Sequence, residues 1–567
     1  MDQSKKRSQM WVFILLILFI NIILVSPRLL ISFNEINAFD EAKYIDSGRS
    51  LTFLEVRDIA WAPIIALIYA PLELIFRSLP DRFLFEAWGG RIILYILIWI
   101  SALTLASRLR KYISPLVVSG VLFTSLAIFP ILENQSDALY ITIAAFGLAL
   151  FYSIQQDHRL RDIQVLSILL GLAVLVRFES ILTMGAVILL IIVMEWIHSQ
   201  KFKVVLSAIV PAIGVILLYL LLFWISIGKV EMSVGNKSWD SFEVNQVSFS
   251  NPNGLNSREE TQRLYGSREA NDGSIFRAIS RNPAAFIERI IVNISRLPES
   301  FLQFFGKRLA PVIGLCAVFG ILLLLRKREY LLLLAVILWS LPALVSLGFL
   351  ARHFIPQVTL WIIILSSIGL FSIFRQNSSP KERIIFLSLN LLLVLFGWLG
   401  AKLAFLTAGF VIASATILII MINSSRQKEF TNKATPFLIL LSAGIILRGS
   451  YKFPDFPSVG KSAREQAVYY LQANLPEHSN ILVKVPLIPV AAGMVDVRSL
   501  DADGEIPDAN SLSTVLRNQG LDAVVVDSIF PFSSGRIRQL LEEGRGEYFQ
   551  LGFRDDDGIV EIFLISD

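Results

Sequence analysis

The chain has 567 residues, of which 54% are hydrophobic and 17% charged, with a formal net charge of +5 and a mean hydropathy of +0.64. Soluble domains carry about 25% charged residues, and here the apolar residues gather in runs of the length that crosses a bilayer, about 20 residues. The pattern identifies a polytopic membrane protein and excludes a nucleic-acid-binding stripe, and a single cysteine, Cys316, excludes an intramolecular disulfide.

The chain opens on Lys5, Lys6 and Arg7 ahead of an apolar run too long for a signal-peptide core, with no small-residue cleavage site after it, so it reads as a retained first helix. Apolar runs predict about thirteen transmembrane helices, near 11–31, 91–107, 113–132, 138–155, 163–176, 180–197, 204–227, 309–325, 330–350, 354–374, 384–400, 404–423 and 435–449. Runs shorter than a full span are expected to be tilted, kinked or partly re-entrant. The stretch 59–79 is apolar, yet Pro63, Pro71 and Glu73 interrupt it.

Charge parity decides how that stretch is read, because cytoplasmic loops collect Lys and Arg. If 59–79 lies in the interface, every basic cluster falls on the side of Lys5, Lys6 and Arg7, including Arg108/Arg110/Lys111, Arg326/Lys327/Arg328 and Arg426/Lys428/Lys433. If it crosses, every later cluster moves to the outside. The interfacial reading is adopted, which puts outer loops at 32–90 and 228–308.

The first outer loop carries the densest ionisable stretch, Phe39 to Leu51, with Asp40, Glu41, Lys43, Tyr44, Asp46 and Arg49. On a helix begun at Asp40, positions 40, 44 and 47 share a face while Glu41 turns away by about 100°. The alternative reading is that Asp40 only caps that helix and Gly48 ends it. Capping explains neither Glu41 nor the further ionisable groups that the same parity brings to the outer face: Glu133, Asp137, Arg177, Glu179, Arg352, His353 and Lys402. Charges at a membrane boundary are costly unless hydrated or paired, so the gathering points to a polar cavity.

The second outer loop begins with an Asn-, Ser- and Gly-rich part that reads as irregular, for example Asn251-Pro252-Asn253-Gly254. From Ser274 to Phe305 it reads as an amphipathic helix lying in the interface, with Arg277, Arg281, Arg289 and Arg296 near lipid phosphates. Beyond residue 449 the composition turns soluble, so the chain divides at 1–449 and 450–567. Helices are expected at 461–474 and 535–543, and strands at 480–485, 521–527, 548–552 and 559–565, giving a small α/β domain on the outer face. It holds no phosphate-binding glycine motif and no metal-spaced His or Cys. Asp527, at the end of a buried strand, is expected to be structural or to position an acceptor.

Several of these residues together resemble a known family. Asp40-Glu41-Ala42-Lys43-Tyr44 resembles the first-loop motif of GT-C glycosyltransferases, nearest the aminoarabinose-transferase and protein-O-mannosyltransferase-like branch. The Trp61-Ala62-Pro63-Ile64 segment before an Arg91-led helix, Asp137 opening a helix after a short loop, Gly171-Leu172-Ala173-Val174-Leu175-Val176-Arg177, and Arg352-His353-Phe354-Ile355-Pro356 are similar to that family's later motifs, in the same order.

The resemblance implies a GT-C-like fold and transfer of a sugar from a polyprenyl-phosphate donor to a lipid, glycan or protein acceptor. It implies an integral protein of a bacterial cytoplasmic membrane with its site on the outer face. It carries the catalytic role to Asp40, with Asp137 and Glu41 as further catalytic candidates. Tyr44, Arg177, Arg352, His353 and Lys402 are the candidate substrate contacts. Where the aminoarabinose branch has Glu-Lys before the interfacial proline, this chain has Trp61-Ala62, so a metal-binding carboxylate and a phosphate-binding lysine are missing there and a divalent metal stays open. The other readings are a transporter or flippase of a lipid-linked glycan, and a non-catalytic scaffold. The absence of internal repeats weighs against the transporter.

Overall fold

The computed structural model describes residues 3–30, 33, 36, 40–53, 63–79, 81–115, 117–119, 122, 135–199, 202–227, 239, 241–249, 257–305, 310–349, 351–374, 462–497, 506–529, 532 and 536–566. The chain forms two compact units, Met1–Ser26 with Ile93–Lys452, and Pro27–Ile92 with Phe453–Asp567. The expected helices at 384–400, 404–423 and 435–449, the expected boundary at 449/450, and Lys402 lie outside the described residues, as does most of 113–132.

Among the described residues, six helical stretches are long and apolar enough to cross a membrane: Arg82–Arg108, Gln135–Asp157, Phe178–Trp196, Phe202–Ile225, Tyr330–Phe349 and Ala351–Gly369. Large apolar side chains such as Leu217, Ile225 and Leu189 point outward, an arrangement that water would penalise and lipid does not. The protein is an integral membrane protein.

Close helix contacts in the first unit rest on small residues. A Cβ on Gly320 of helix Ala310–Arg326 would lie 2.0 Å from the Leu365 carbonyl oxygen, and one on Gly369 of helix Phe354–Phe374 would lie 2.0 Å from that of Cys316. Only paired glycines let these backbones approach so nearly. Helix Leu160–Val176 meets helix Phe202–Ile227 in the same way at Gly171. There Ser167 Oγ donates to the Ala208 carbonyl at 2.7 Å and accepts from the Ala212 amide at 2.9 Å. The hydroxyl thus satisfies backbone groups beside Pro211, whose ring interrupts the helical ladder.

The expected span at 330–350 is two helices, Tyr330–Trp339 and Leu341–Phe349, broken at Ser340. Thr183 Oγ1 donates to the Leu338 carbonyl and Tyr140 donates to that of Trp339, so neighbouring helices take up carbonyls freed at the break.

In the second outer loop, Asn251 to Gly254, read as irregular, lie outside the described residues. Ser257–Tyr265 is helical, and the single helix expected from Ser274 to Phe305 is split at Asn282 into Ile275–Arg281 and Pro283–Phe305. Trp239, Phe242, Tyr265, Ala278 and Ala285 form a small buried core. Arg289, expected near lipid phosphates, is fully buried instead. It donates to the Phe242 carbonyl at 2.9 Å, to Gln246 Oε1 at 3.1 Å and to the Phe349 carbonyl at 3.0 Å. Asn293 donates to the Leu347 carbonyl at 2.7 Å. Together they cap the end of helix Leu341–Phe349, and so fix the chain just before Arg352 and His353.

In the second unit, helix Asp40–Leu51 packs on helix Pro63–Phe76 and on the first turns of helix Arg82–Arg108. Gly48 lies inside its helix rather than at its end, and its missing side chain makes room for helix Pro63–Phe76, since a Cβ there would sit 2.3 Å from Tyr69 Cβ. The helix expected to begin at Arg91 begins at Arg82, which puts Arg91 inside it.

The C-terminal sheet has five strands, β1 (Asn480–Leu482), β2 (Val495–Val497), β3 (Ala523–Asp527), β4 (Phe549–Arg554) and β5 (Val560–Ile565), in the order β2-β1-β3-β5-β4. β1 runs parallel to β2 and β3, while β5 runs antiparallel to β3 and β4. The α/β reading holds, and three short elements went unread: Leu487–Ala492, β2 and Ala509–Asn518. Asp527 accepts from Arg464 Nε at 2.8 Å and from the Ile529 amide at 2.9 Å, a structural engagement.

Candidate functional site

The first unit brings three of the expected residues to one point. Asp137 lies in the first turn of helix Gln135–Asp157, where a helix N-terminus favours a negative charge. Arg177 follows the last turn of helix Leu160–Val176 in extended backbone, with its amide held by the Ala173 carbonyl. His353 ends the short turn Ala351–His353 and Gln357 lies in the first turn of the helix that follows.

Asp137 is completely buried. Its Oδ1 accepts from Arg177 Nη1 at 2.9 Å and from Gln357 Nε2 at 3.1 Å, while its Oδ2 lies 2.6 Å from His353 Nδ1. Arg177 also lies 3.3 Å from Ser136 Oγ and 3.7 Å from Glu179. The positive charge of Arg177 is therefore balanced within the protein. Arg352 is the contrast: it is exposed and, among the described residues, has no carboxylate partner. Gln357 was not singled out from the sequence, although its place one turn after His353 on a helix is the signal that would have found it.

The second unit carries the first-loop residues. Asp40 opens its helix and is half-buried, and Tyr44, one turn on, is buried. Glu41 is 1% exposed and meets Arg91, 3% exposed, through two hydrogen bonds: Nε to Oε1 at 2.8 Å and Nη2 to Oε2 at 2.7 Å. Both oxygens of Glu41 are thus engaged by one guanidinium, the geometry in which arginine binds carboxylates most strongly. A second buried group lies nearby: Arg49 contacts Glu86 at 2.9 Å, Glu73 at 3.3 Å and the Val490 carbonyl at 2.7 Å. Glu73, which interrupts the apolar stretch in the sequence, thereby helps join the first-loop helices to the C-terminal segment.

Trp61 and Ala62 lie outside the described residues. Among the described residues, no group of three or more His, Cys, Asp or Glu side chains is arranged to hold a metal ion.

These helices and the C-terminal sheet define a polytopic membrane protein with a GT-C-like fold, shared with two solved structures. The chain is similar throughout its length to two crystal structures of ArnT from Cupriavidus metallidurans. The apo structure covers 98% of both chains with a TM-score of 0.53 at 12% identity. The structure bound to undecaprenyl phosphate covers 98% of this chain and 97% of its own, with a TM-score of 0.56 at 13% identity. No protein-family model and no curated protein sequence matches the chain.

Proposed function

We propose that the protein is a GT-C-type glycosyltransferase that moves a sugar from a polyprenyl-phosphate carrier to an acceptor. The observation that carries this reading is the full-length similarity to ArnT, one of whose structures holds undecaprenyl phosphate. It is joined by the convergence of Asp137, Arg177 and His353 on one point.

In the proposed reaction an acceptor oxygen attacks the anomeric carbon, the bond from that carbon to the phosphate oxygen breaks, and the phosphate leaves with the bonding pair. A single displacement of this kind inverts the anomeric centre. Asp40, half-buried at the start of its helix, takes the proton from the acceptor, a role worth about 10²–10⁴ in rate. The departing phosphate needs its charge neutralised more than it needs a proton. Arg352 is the first choice for that task, because among the described residues its charge is not spent on a carboxylate and a guanidinium binds phosphate through two bonds. Lys402 is assigned as a second cation, Tyr44 as a substrate contact beside Asp40, and Glu41 as the residue that holds Arg91 and the first-loop helices in place.

The positions of the basic clusters support an outer-face site in a bacterial cytoplasmic membrane. Mass spectrometry of lipids co-purifying with the protein tests the reading. It is expected to find a polyprenyl-phosphate sugar that, supplied back to the protein with extracted acceptors, is converted to free polyprenyl phosphate. Movement of that lipid across vesicles with no loss of its sugar would favour a flippase instead.

A further inference from the structure

Asp137 is completely buried, and both of its oxygens face protein groups. Oδ1 already accepts two hydrogen bonds, from Arg177 and Gln357, and Oδ2 faces His353 Nδ1. An ionised carboxylate only accepts, so the hydrogen in the 2.6 Å contact belongs to His353 Nδ1. In the neutral ring that choice leaves the lone pair on Nε2, the tautomer control that a carboxylate exerts on a catalytic or metal-bound imidazole. Among the described residues nothing hydrogen-bonds to Nε2.

We propose that Asp137 is a positioning residue, and that the atom this cluster offers to substrate is His353 Nε2, as the acceptor for a hydroxyl of the transferred sugar. The inference rests on the glycosyltransferase reading and deepens it. The phosphodiester monoanion of the donor has no hydrogen to donate to a lone pair, whereas every sugar presents several hydroxyls, so the tautomer selects the sugar rather than the carrier phosphate. Arg177 Nη1, itself held by Asp137, lies 3.5 Å from the same ring nitrogen, so both groups stand at the Nδ1 edge and neither reaches Nε2.

Two amide substitutions separate the nitrogens of the ring. His353→Asn keeps a group at the Nδ1 position facing Asp137 and removes Nε2, while His353→Gln reaches the Nε2 position and loses the Asp137 contact. The protein is assayed in nanodiscs, with the co-purifying polyprenyl-phosphate sugar as donor and sugar-free undecaprenyl phosphate as the binding probe. His353→Asn is expected to lower kcat/KM for the sugar donor about tenfold or more, the loss of one hydrogen bond to substrate. Undecaprenyl phosphate binding should stay within about threefold of wild type, and His353→Gln should retain more turnover than His353→Asn.

Asp137→Asn can present its amide hydrogen to Nδ1 and so reverse the tautomer. It is expected to lower kcat/KM as His353→Asn does, and the double variant to be no worse than either single one. Should Asp137→Asn not fold, the His353 pair alone decides. Wild-type turnover by His353→Asn, or an equal loss of undecaprenyl phosphate binding, overturns the proposal. If wild-type protein transfers no sugar at all, the glycosyltransferase reading fails instead, and the two failures are distinct.

Discussion

Glu41 and Arg91 are joined by two hydrogen bonds of 2.8 and 2.7 Å, with both side chains shut off from solvent. Neighbours in sequence, Asp40 and Glu41 thus have different surroundings: Asp40 opens the helix half-buried, and Glu41 ties that helix to helix Arg82–Arg108. A buried pair costs much to desolvate, and its loss is costly mainly when one partner is left behind. Glu41→Gln or Arg91→Met alone is expected to destabilise by about 3–5 kcal/mol. A paired apolar replacement, Glu41→Leu with Arg91→Met, should recover much of that. Thermal unfolding of the detergent-solubilised variants, analysed as a double-mutant cycle, checks this.

Arg289 satisfies three neutral acceptors from full burial. Arg289→Lys keeps the charge but cannot span the three oxygens with the same fork. It should destabilise by about 1–3 kcal/mol by leaving a buried acceptor unmatched. Because Arg289 and Asn293 together cap the helix that leads into Arg352 and His353, faster hydrogen exchange at 349–354 should accompany the loss.

Gly320 and Gly369 set the spacing of their two helices. Gly320→Leu requires those helices to separate and is expected to cost about 1–3 kcal/mol or more, as overpacking does. At Gly185 or Gly214, where a Cβ would meet nothing within 4 Å, alanine should be tolerated or should slightly stabilise the helix. A wild-type melting temperature for Gly320→Leu would contradict the packing.

Asp508 caps helix Ala509–Asn518 by accepting from the Ser511 amide at 2.8 Å. Hydrogen bonds from the Ser511 backbone and side chain hold its carboxyl below the usual range. A lowered folded-state value means that the cap is fully present above the ordinary aspartate pKa of about 3.9 and is lost as pH falls through the lower folded value. Hydrogen exchange at 509–512 should therefore quicken in acid beyond its intrinsic rate. In Asp508→Asn, which caps without ionising, that extra dependence should vanish.

The spans were legible where apolar runs are long and bounded by basic clusters, and Gln135–Asp157, Phe202–Ile227 and Phe354–Phe374 lie where the runs put them. Hydropathy was silent where a break falls inside an apolar run, as at Ser340, since a turn held by neighbours' hydroxyls leaves no polar mark. Of the site residues, Asp137, Arg177 and His353 meet, whereas Arg352, adjacent in sequence to His353, stays outside their cluster. Sequence shows that ionisable groups gather at helix ends. It does not show which are spent on each other, because pairs such as Glu41 with Arg91 form between residues far apart in the chain.

Sugar transfer with Asp40 as base is tested most directly by comparing wild-type protein and Asp40→Asn in nanodiscs for transfer from a polyprenyl-phosphate sugar. Wild-type protein is expected to release free polyprenyl phosphate as sugar appears on the acceptor. Asp40→Asn should fold normally, bind undecaprenyl phosphate, and transfer at a rate about 10²–10⁴ lower. Transfer by Asp40→Asn at the wild-type rate would contradict the account.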